Sequence, residues 1–188
     1  RRFHVEFMPD SSYLAVPEVS SERRQFIPIG FLDASIMPSN LLRTVPNATL
    51  YHFGILSSSL HNAWMRTVAG RMKSDYRYSV NIVYNNYPWP RILSDKQQTH
   101  IESAAQSVLD ARSLFSDSTL AQLYNQSTMP VELVKAHAAL DKAVDNAYGY
   151  KGGKDDASRV AFLFALYQQL ASPLATQPAA RKRRQTTH

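Results

Sequence analysis

Between residues 71 and 79 the chain reads Arg71-Met72-Lys73-Ser74-Asp75-Tyr76-Arg77-Tyr78-Ser79. In an extended strand, successive side chains point to opposite faces. Alternation here puts Arg71, Lys73, Asp75, Arg77 and Ser79 on one face and Met72, Ser74, Tyr76 and Tyr78 on the other. The first face is wholly polar, with three cations around one carboxylate. The second is largely apolar and suited to pack on a core. The polar face matches the major-groove edge of a base pair: lysine or arginine donates to guanine N7 and O6, and aspartate accepts from the cytosine amino group. Lys73 and Asp75, two apart, are candidates to contact both members of a G·C pair, with Arg77 as a third base contact. Each good contact contributes roughly 1–3 kcal/mol of discrimination. The same pattern also describes a solvated strand edge carrying Lys73–Asp75 and Asp75–Arg77 ion pairs, each worth only about 0–1 kcal/mol.

A second cluster is Ser20-Ser21-Glu22-Arg23-Arg24. Arginines beside hydroxyls in a turn can hold phosphates, which positions a protein on DNA without reading sequence. Arg43, Arg66 and Arg71 are candidates to extend that backbone-holding surface; a solvated hairpin turn is the alternative. Tyr84-Asn85-Asn86-Tyr87-Pro88-Trp89-Pro90 is rich in aromatics and turn formers. It suits stacking on a flipped base or a packed hinge between domains. Arg181-Lys182-Arg183-Arg184 fits either non-specific DNA contact or a solvated tail.

Catalytic patterns are missing. Lys151-Gly152-Gly153-Lys154 joins two helical stretches and does not follow a strand, so it lacks the context of a phosphate loop. The six histidines contain no i, i+4 pair of metal-ligand spacing. His137 lies on an apolar helical face and reads as a core histidine. Asp155-Asp156 and Ser57-Ser58-Ser59 are explained as helix starts. With no cysteine, disulfides, thiolate metal sites and thiol nucleophiles are excluded. Neither the aromatic, proline-containing loop of amino-group methyltransferases nor an acidic/lysine nuclease cluster is present. No catalytic, cofactor-binding or metal-binding residue is therefore assigned, and the chain is expected not to catalyse by itself.

These candidates need elements to position them. Before Pro88-Trp89-Pro90, β-branched and aromatic residues dominate; after it, Ala, Leu and Gln recur at helical spacing. Strands are expected at 13–19, 25–31, 48–53, 72–78 and 80–84. A helix capped by Ser57–Ser59 runs to about Val68, with Leu60, Trp64 and Val68 on its apolar stripe. In the second half, Ser94 and Gln97 form a capping box. Ile101, Ala105, Val108 and Leu109 supply the buried face behind it. A short helix is expected at 118–124. Another starts at Pro130 and closes at Gly149, and a last one is capped by Asp155 or Asp156. The expected fold class is α+β. A mainly β domain covers 1–93, an α-helical domain 94–172, and a basic, disordered tail 173–188.

The 188 residues suit one ordinary domain or two small ones. The formal net charge is +6. Residues 1–93 carry net +4, residues 94–180 net −2 and the last eight residues net +4. A basic first half fits a polyanionic partner, although ordinary surface charge is compatible too. No apolar run is long enough to span a membrane. The first residues enter directly into strand-like alternation without a signal peptide. A piece of a longer, cytoplasmic chain is expected.

Several longer segments occur in order: Pro17-Glu18-Val19-Ser20-Ser21-Glu22-Arg23-Arg24, Phe26-Ile27-Pro28-Ile29-Gly30-Phe31, Tyr51-His52-Phe53-Gly54-Ile55-Leu56, Ala63-Trp64-Met65-Arg66, the 70–79 stretch, and Ile82 to Pro90. Ala136-His137, Leu140-Asp141, Val144-Asp145 and Ala147-Tyr148-Gly149 follow. Over about residues 13–170 this resembles the C-terminal end of MmeI-like, type IIL single-chain restriction–modification enzymes and related large DNA methylases. The resemblance implies a bacterial parent chain with an adenine-specific methyltransferase domain, S-adenosylmethionine as cofactor, and magnesium if it also cleaves DNA. This chain would be its target-recognition domain, without the first strands, and its C-terminal helical domain. Double-stranded DNA and the methyltransferase domain of the same polypeptide are the implied partners. In such enzymes a Lys/Asp pair just before Tyr-Arg-Tyr-Ser accompanies G in the outer base pair, and a Glu/Arg pair accompanies C. By that resemblance Lys73 and Asp75 contact a G·C pair and Arg77 contacts or supports a neighbouring position. The reading from another class is a protein–protein interaction module without direct DNA contact.

Overall fold

The computed structural model describes residues 9–91 and 93–175, with side chains up to Ala171. The fold is α+β. Strand β1 (Tyr13–Pro17) lies between β3 (Gly30–Leu32) and β4 (Leu42–Pro46) in an antiparallel sheet. Leu14 pairs with Phe31 on one side and Val45 on the other. Tyr13 to Val16 are all buried, so both faces of β1 are covered. That explains an unbroken apolar run where a half-exposed strand would alternate.

The chain then changes sheet. β2 (Val19–Ser20) pairs with β6 (Asp75–Arg77), which pairs with β5 (Gly70–Met72). Glu18 is the pivot. Its N–H donates to the Leu41 carbonyl at 2.8 Å, and its carbonyl accepts from Tyr78 N–H at 2.7 Å.

Four strand expectations need correction, the one over 72–78 because it folds into a hairpin. Residues 48–53 enter a helix, α1 (Leu50–Ser57), not a strand. Thr49 starts it, with its N–H donating to His52 Nδ1 at 3.2 Å. Gly54 lets α1 approach its neighbour: a Cβ there would lie 2.7 Å from Ile101 Cγ2. Of residues 25–31, only the end becomes β3, because Ile27 N–H bonds the Asn62 side chain at 2.9 Å and not a strand partner. Residues 80–84 form a π-helical turn, Val80–Tyr84, held by Trp64 Nε1 donating to the Val83 carbonyl at 3.0 Å.

The remaining helices follow the pattern of apolar spacing. They are α2 (Ser59–Val68), α3 (Asp95–Ser113), α4 (Leu120–Leu123), α5 (Val131–Tyr148) and α6 (Asp156–Ala175). Ser94 and Gln97 cap α3 reciprocally. Gly149 ends α5 at φ 66°, the left-handed region that favours glycine. Asp155 caps α6, accepting from Ser158 N–H at 2.8 Å. This last helix runs to Ala175, past the expected end at 172; residues 176–188 lie outside the described residues.

The core runs without a break through both halves, from Leu14 and Trp64 to Ile101, Leu140 and Leu163. Polar ties reinforce it. Asp141 of α5 accepts from the backbone N–H of Ser59 at 2.6 Å, capping α2. Arg159 of α6 makes a two-pronged pair with Asp145 at 2.6 and 3.1 Å. Buried Arg112 of α3 donates to the Ile29 carbonyl at 2.7 Å and to the Tyr124 hydroxyl. Trp89 packs against Tyr51, His52, Tyr84 and Tyr87, so the Pro-Trp-Pro segment is packed against its neighbours. Among the described residues, no helix is long and apolar enough to cross a membrane.

Candidate nucleic-acid interface

The 71–79 segment is a hairpin, not one straight strand. β5 and β6 pair Gly70 with Arg77, Arg71 with Tyr76 and Met72 with Asp75. Lys73 and Ser74 make the turn, and Lys73 sits at φ 57°. This corrects the single polar face expected from alternation. Directly opposed residues share a face. Arg71 therefore shares its face with Tyr76, while Asp75 and Arg77 share the other with Met72.

Lys73 and Asp75 are nevertheless neighbours at the hairpin tip. Lys73 is exposed and Asp75 half-buried. Among the described residues neither has an ion pair or side-chain hydrogen bond. The Lys73–Asp75 and Asp75–Arg77 pairs expected of a solvated strand edge are not formed. One donor and one acceptor group stay unengaged at the turn among the described residues.

Arg77 is held differently. Its Nε donates to Glu18 Oε1 at 2.8 Å, while Arg43 Nη2 donates to Glu18 Oε2 at 2.5 Å. Glu18 is only 6% exposed, so its carboxylate is engaged by two guanidinium groups that themselves reach solvent. The three line a depression of about 420 Å³ together with Ser79, Asn81 and Ile82. One carboxylate against two arginines leaves net positive charge and donor groups directed outward. Sequence reasoning gave Glu18 no role. The available signal was a carboxylate inside the apolar run Tyr13–Val19, where burial demands a partner. The π-helical turn was also missed; such turns occur often at functional sites.

The other arginines divide. Arg23 and Arg24 are unpaired among the described residues and line a depression beside Ser21. Arg71 stacks over the Tyr76 ring at 3.9 Å and donates to the Ser74 carbonyl at 2.8 Å, so it braces the hairpin turn. Arg66 does not fit the expected phosphate contact. Its Nε and Nη2 bind Asp156 at 2.6 and 2.7 Å, and its Nη1 binds the Gln25 carbonyl at 2.7 Å. Its donors are committed to the protein itself.

Behind the hairpin, His61 is fully buried. Its Nδ1 donates to the Leu56 carbonyl at 2.8 Å, and its Nε2 accepts from the Tyr78 hydroxyl at 3.1 Å. Burial pushes its pKa down to about 3, so it is neutral. His137 is the expected core histidine. It stacks on Phe26 at 4.0 Å and takes a hydrogen bond from the Tyr124 hydroxyl at 2.7 Å. Burial, then the Arg112 charge, likewise pushes it down to about 3. Among the described residues, no group of three or more His, Asp or Glu side chains could hold a metal.

Two family models match in tandem. The MmeI target recognition domain matches residues 1–91 and the MmeI C-terminal domain matches residues 92–175. The chain belongs to the MmeI family. A curated relative, DNA methyltransferase A of Bacillus subtilis (strain 168), is 45% identical over 84% of this chain and 18% of its own length. A solved structure of the type IIL restriction–modification enzyme MmeI in complex with DNA is 51% identical, with a TM-score of 0.86. That match covers 88% of this chain and 22% of the solved one. The MmeI-family chain thus spans about a fifth of the length of these relatives.

Proposed function

We propose that this chain is the DNA-sequence-recognising part of a site-specific DNA methyltransferase or restriction–modification enzyme. The reading rests on the hairpin tip, where unengaged Lys73 and Asp75 stand beside an Arg77 that Glu18 holds in place. Lys73 donates to guanine N7 and O6 and Asp75 accepts from the paired cytosine amino group. Arg77, steadied by Glu18, contacts the neighbouring position. Arg23, Arg24 and Arg43 neutralise phosphates. The architecture, with the strands and the hairpin confined to 1–93 and an all-helical part from 94 packed on the same core, fits a reading head braced by a helical support. The relatives' names support DNA methylation by the parent polypeptide. There, S-adenosylmethionine would serve an adenine-methylating domain of the same chain in a bacterial cytoplasm, with magnesium wherever a nuclease is retained.

Equilibrium binding of the full-length parent to duplex DNA across a salt series tests this. Two neutralised phosphates, one shared by Arg23 and Arg24 and one at Arg43, correspond to roughly a 12-fold loss of affinity between 50 and 200 mM salt. Salt-independent binding, or none at low salt, would leave a protein–protein interaction module as the better reading.

A further inference from the structure

Ser20 pairs with Tyr76, and β2 runs antiparallel to β6. Beyond Ser20 the chain therefore continues in the direction of Asp75. The Ser21–Arg24 turn emerges on the flank of the hairpin tip, closed by Arg24 N–H donating to the Ser21 carbonyl at 3.1 Å. A second turn meets it from the helical half, just after α4. The two enclose a depression of about 300 Å³. Its lining is Ser21, Arg23 and Arg24 from one side and Asn125, Gln126 and Ser127 from the other, with Ala121 the one apolar member.

Two arginines, two amides and two hydroxyls line this depression, and no carboxylate does. Every polar side chain there can donate a hydrogen bond. The orientation of Asn125 sharpens the point. Its Oδ1 accepts from Ser127 N–H at 3.0 Å, so its acceptor is engaged within the turn while its NH₂ remains to donate outward. Glu22, the nearby carboxylate on the same loop, lies 3.7 Å from Arg71; it lines an adjoining depression that shares Arg23, Arg24 and Gln126, and not this one. The helical turn is fixed in place by its neighbour Tyr124, which is 1% exposed and held by Arg112 and His137. A concavity with two guanidinium groups, further hydrogen-bond donors and no carboxylate is chemistry for a tetrahedral oxyanion.

We propose that this depression is a composite phosphate site that grips the backbone of duplex DNA beside the hairpin tip. Asn125 and Gln126 of the helical half complete what Arg23 and Arg24 begin. The inference rests on the DNA-recognition reading above and assigns the helical half a direct contact. One phosphate seated here fixes the recognition hairpin against rotation in the groove, which is the positioning that backbone contacts supply.

The test uses the full-length parent with Asn125→Asp, Gln126→Glu and Gln126→Lys, measured by duplex binding across a salt series and by mapping methylated sites. Asn125→Asp keeps the acceptor for Ser127 N–H, so it leaves the turn intact. Facing a phosphate, either new carboxylate is expected to weaken binding roughly tenfold, because like charges in an interface repel. Gln126→Lys is expected to tighten binding and steepen the salt slope by about 1, a gain that misfolding cannot mimic. The methylated sequence stays the same in all three. If wild type binds duplex DNA with steep salt dependence but all three variants match it, the composite site is overturned and the recognition reading survives. If wild type itself shows no salt-dependent binding, both fall.

Discussion

Arg66 of α2 grips Asp156 at the start of α6, 90 residues away, through two hydrogen bonds of 2.6 and 2.7 Å. Its third donor group holds the Gln25 carbonyl. One side chain thus ties the recognition half to the last helix and to the loop before β3. Arg66→Ala should cost about 1–2 kcal/mol in chemical unfolding, more than Asp156→Ala, because it also strips the Gln25 carbonyl of its partner. DNA binding should keep its salt slope in Arg66→Ala. A slope shallower by about 1 would restore Arg66 as a phosphate contact.

Lys73 occupies the left-handed region at φ 57° on an exposed turn. For a non-glycine residue that conformation is costly. Lys73→Gly should therefore stabilise the chain by about 0.5–1 kcal/mol while lowering discrimination at the G·C position. A stability gain coupled to a loss of sequence discrimination would mark Lys73 as retained for its ammonium group. Unfolding curves and methylated-site mapping on the same variant measure both effects.

The Tyr124 hydroxyl accepts from buried Arg112 and donates to His137. Tyr124→Phe leaves the guanidinium with the Ile29 carbonyl but without its hydroxyl partner, in a site closed to water. Its cost should be about 2–4 kcal/mol, larger than the roughly 1 kcal/mol expected for Tyr78→Phe, which removes a neutral partner from His61. Equal costs for the two in urea unfolding would contradict the charged network.

His61 and His137 both have pKa values pushed down to about 3 in the folded chain. In the unfolded chain each returns to about 6.5. The unfolded state thus binds more protons between those values, so stability is full above about pH 6.5 and falls as the pH drops towards 3. Urea unfolding of the chain at pH 6 and pH 5 should show a loss approaching two protons per molecule from this pair, roughly 2–3 kcal/mol. A flat profile over that interval would mean that one or both are charged or open to solvent in the folded state.

The helical half was legible residue by residue. Ser94–Gln97, Pro130, Gly149 and Asp155 mark its ends through local capping chemistry, which needs no knowledge of distant partners. The recognition half was less so. Leu50 to Ser57 has strand-like composition, and its helix is decided by packing: Gly54 must sit against Ile101, which no local pattern reveals. The hairpin was read straight through because Lys73-Ser74 lacks the Asn-Gly or Asp-Gly signal of a tight turn. Alternation puts Lys73 and Asp75 on one strand face, whereas the structure makes them neighbours at a turn. Glu18 escaped notice because its partners, Arg43 and Arg77, lie 25 and 59 residues away.

The most direct measurement exchanges the hairpin pair. In the full-length parent, Lys73→Glu together with Asp75→Arg reverses the order of donor and acceptor at the tip. Sequencing of methylated sites in an active double variant should then show one position moving from G towards C, with the other positions unchanged. An active double variant that methylates the same sites as wild type would contradict base reading by Lys73 and Asp75.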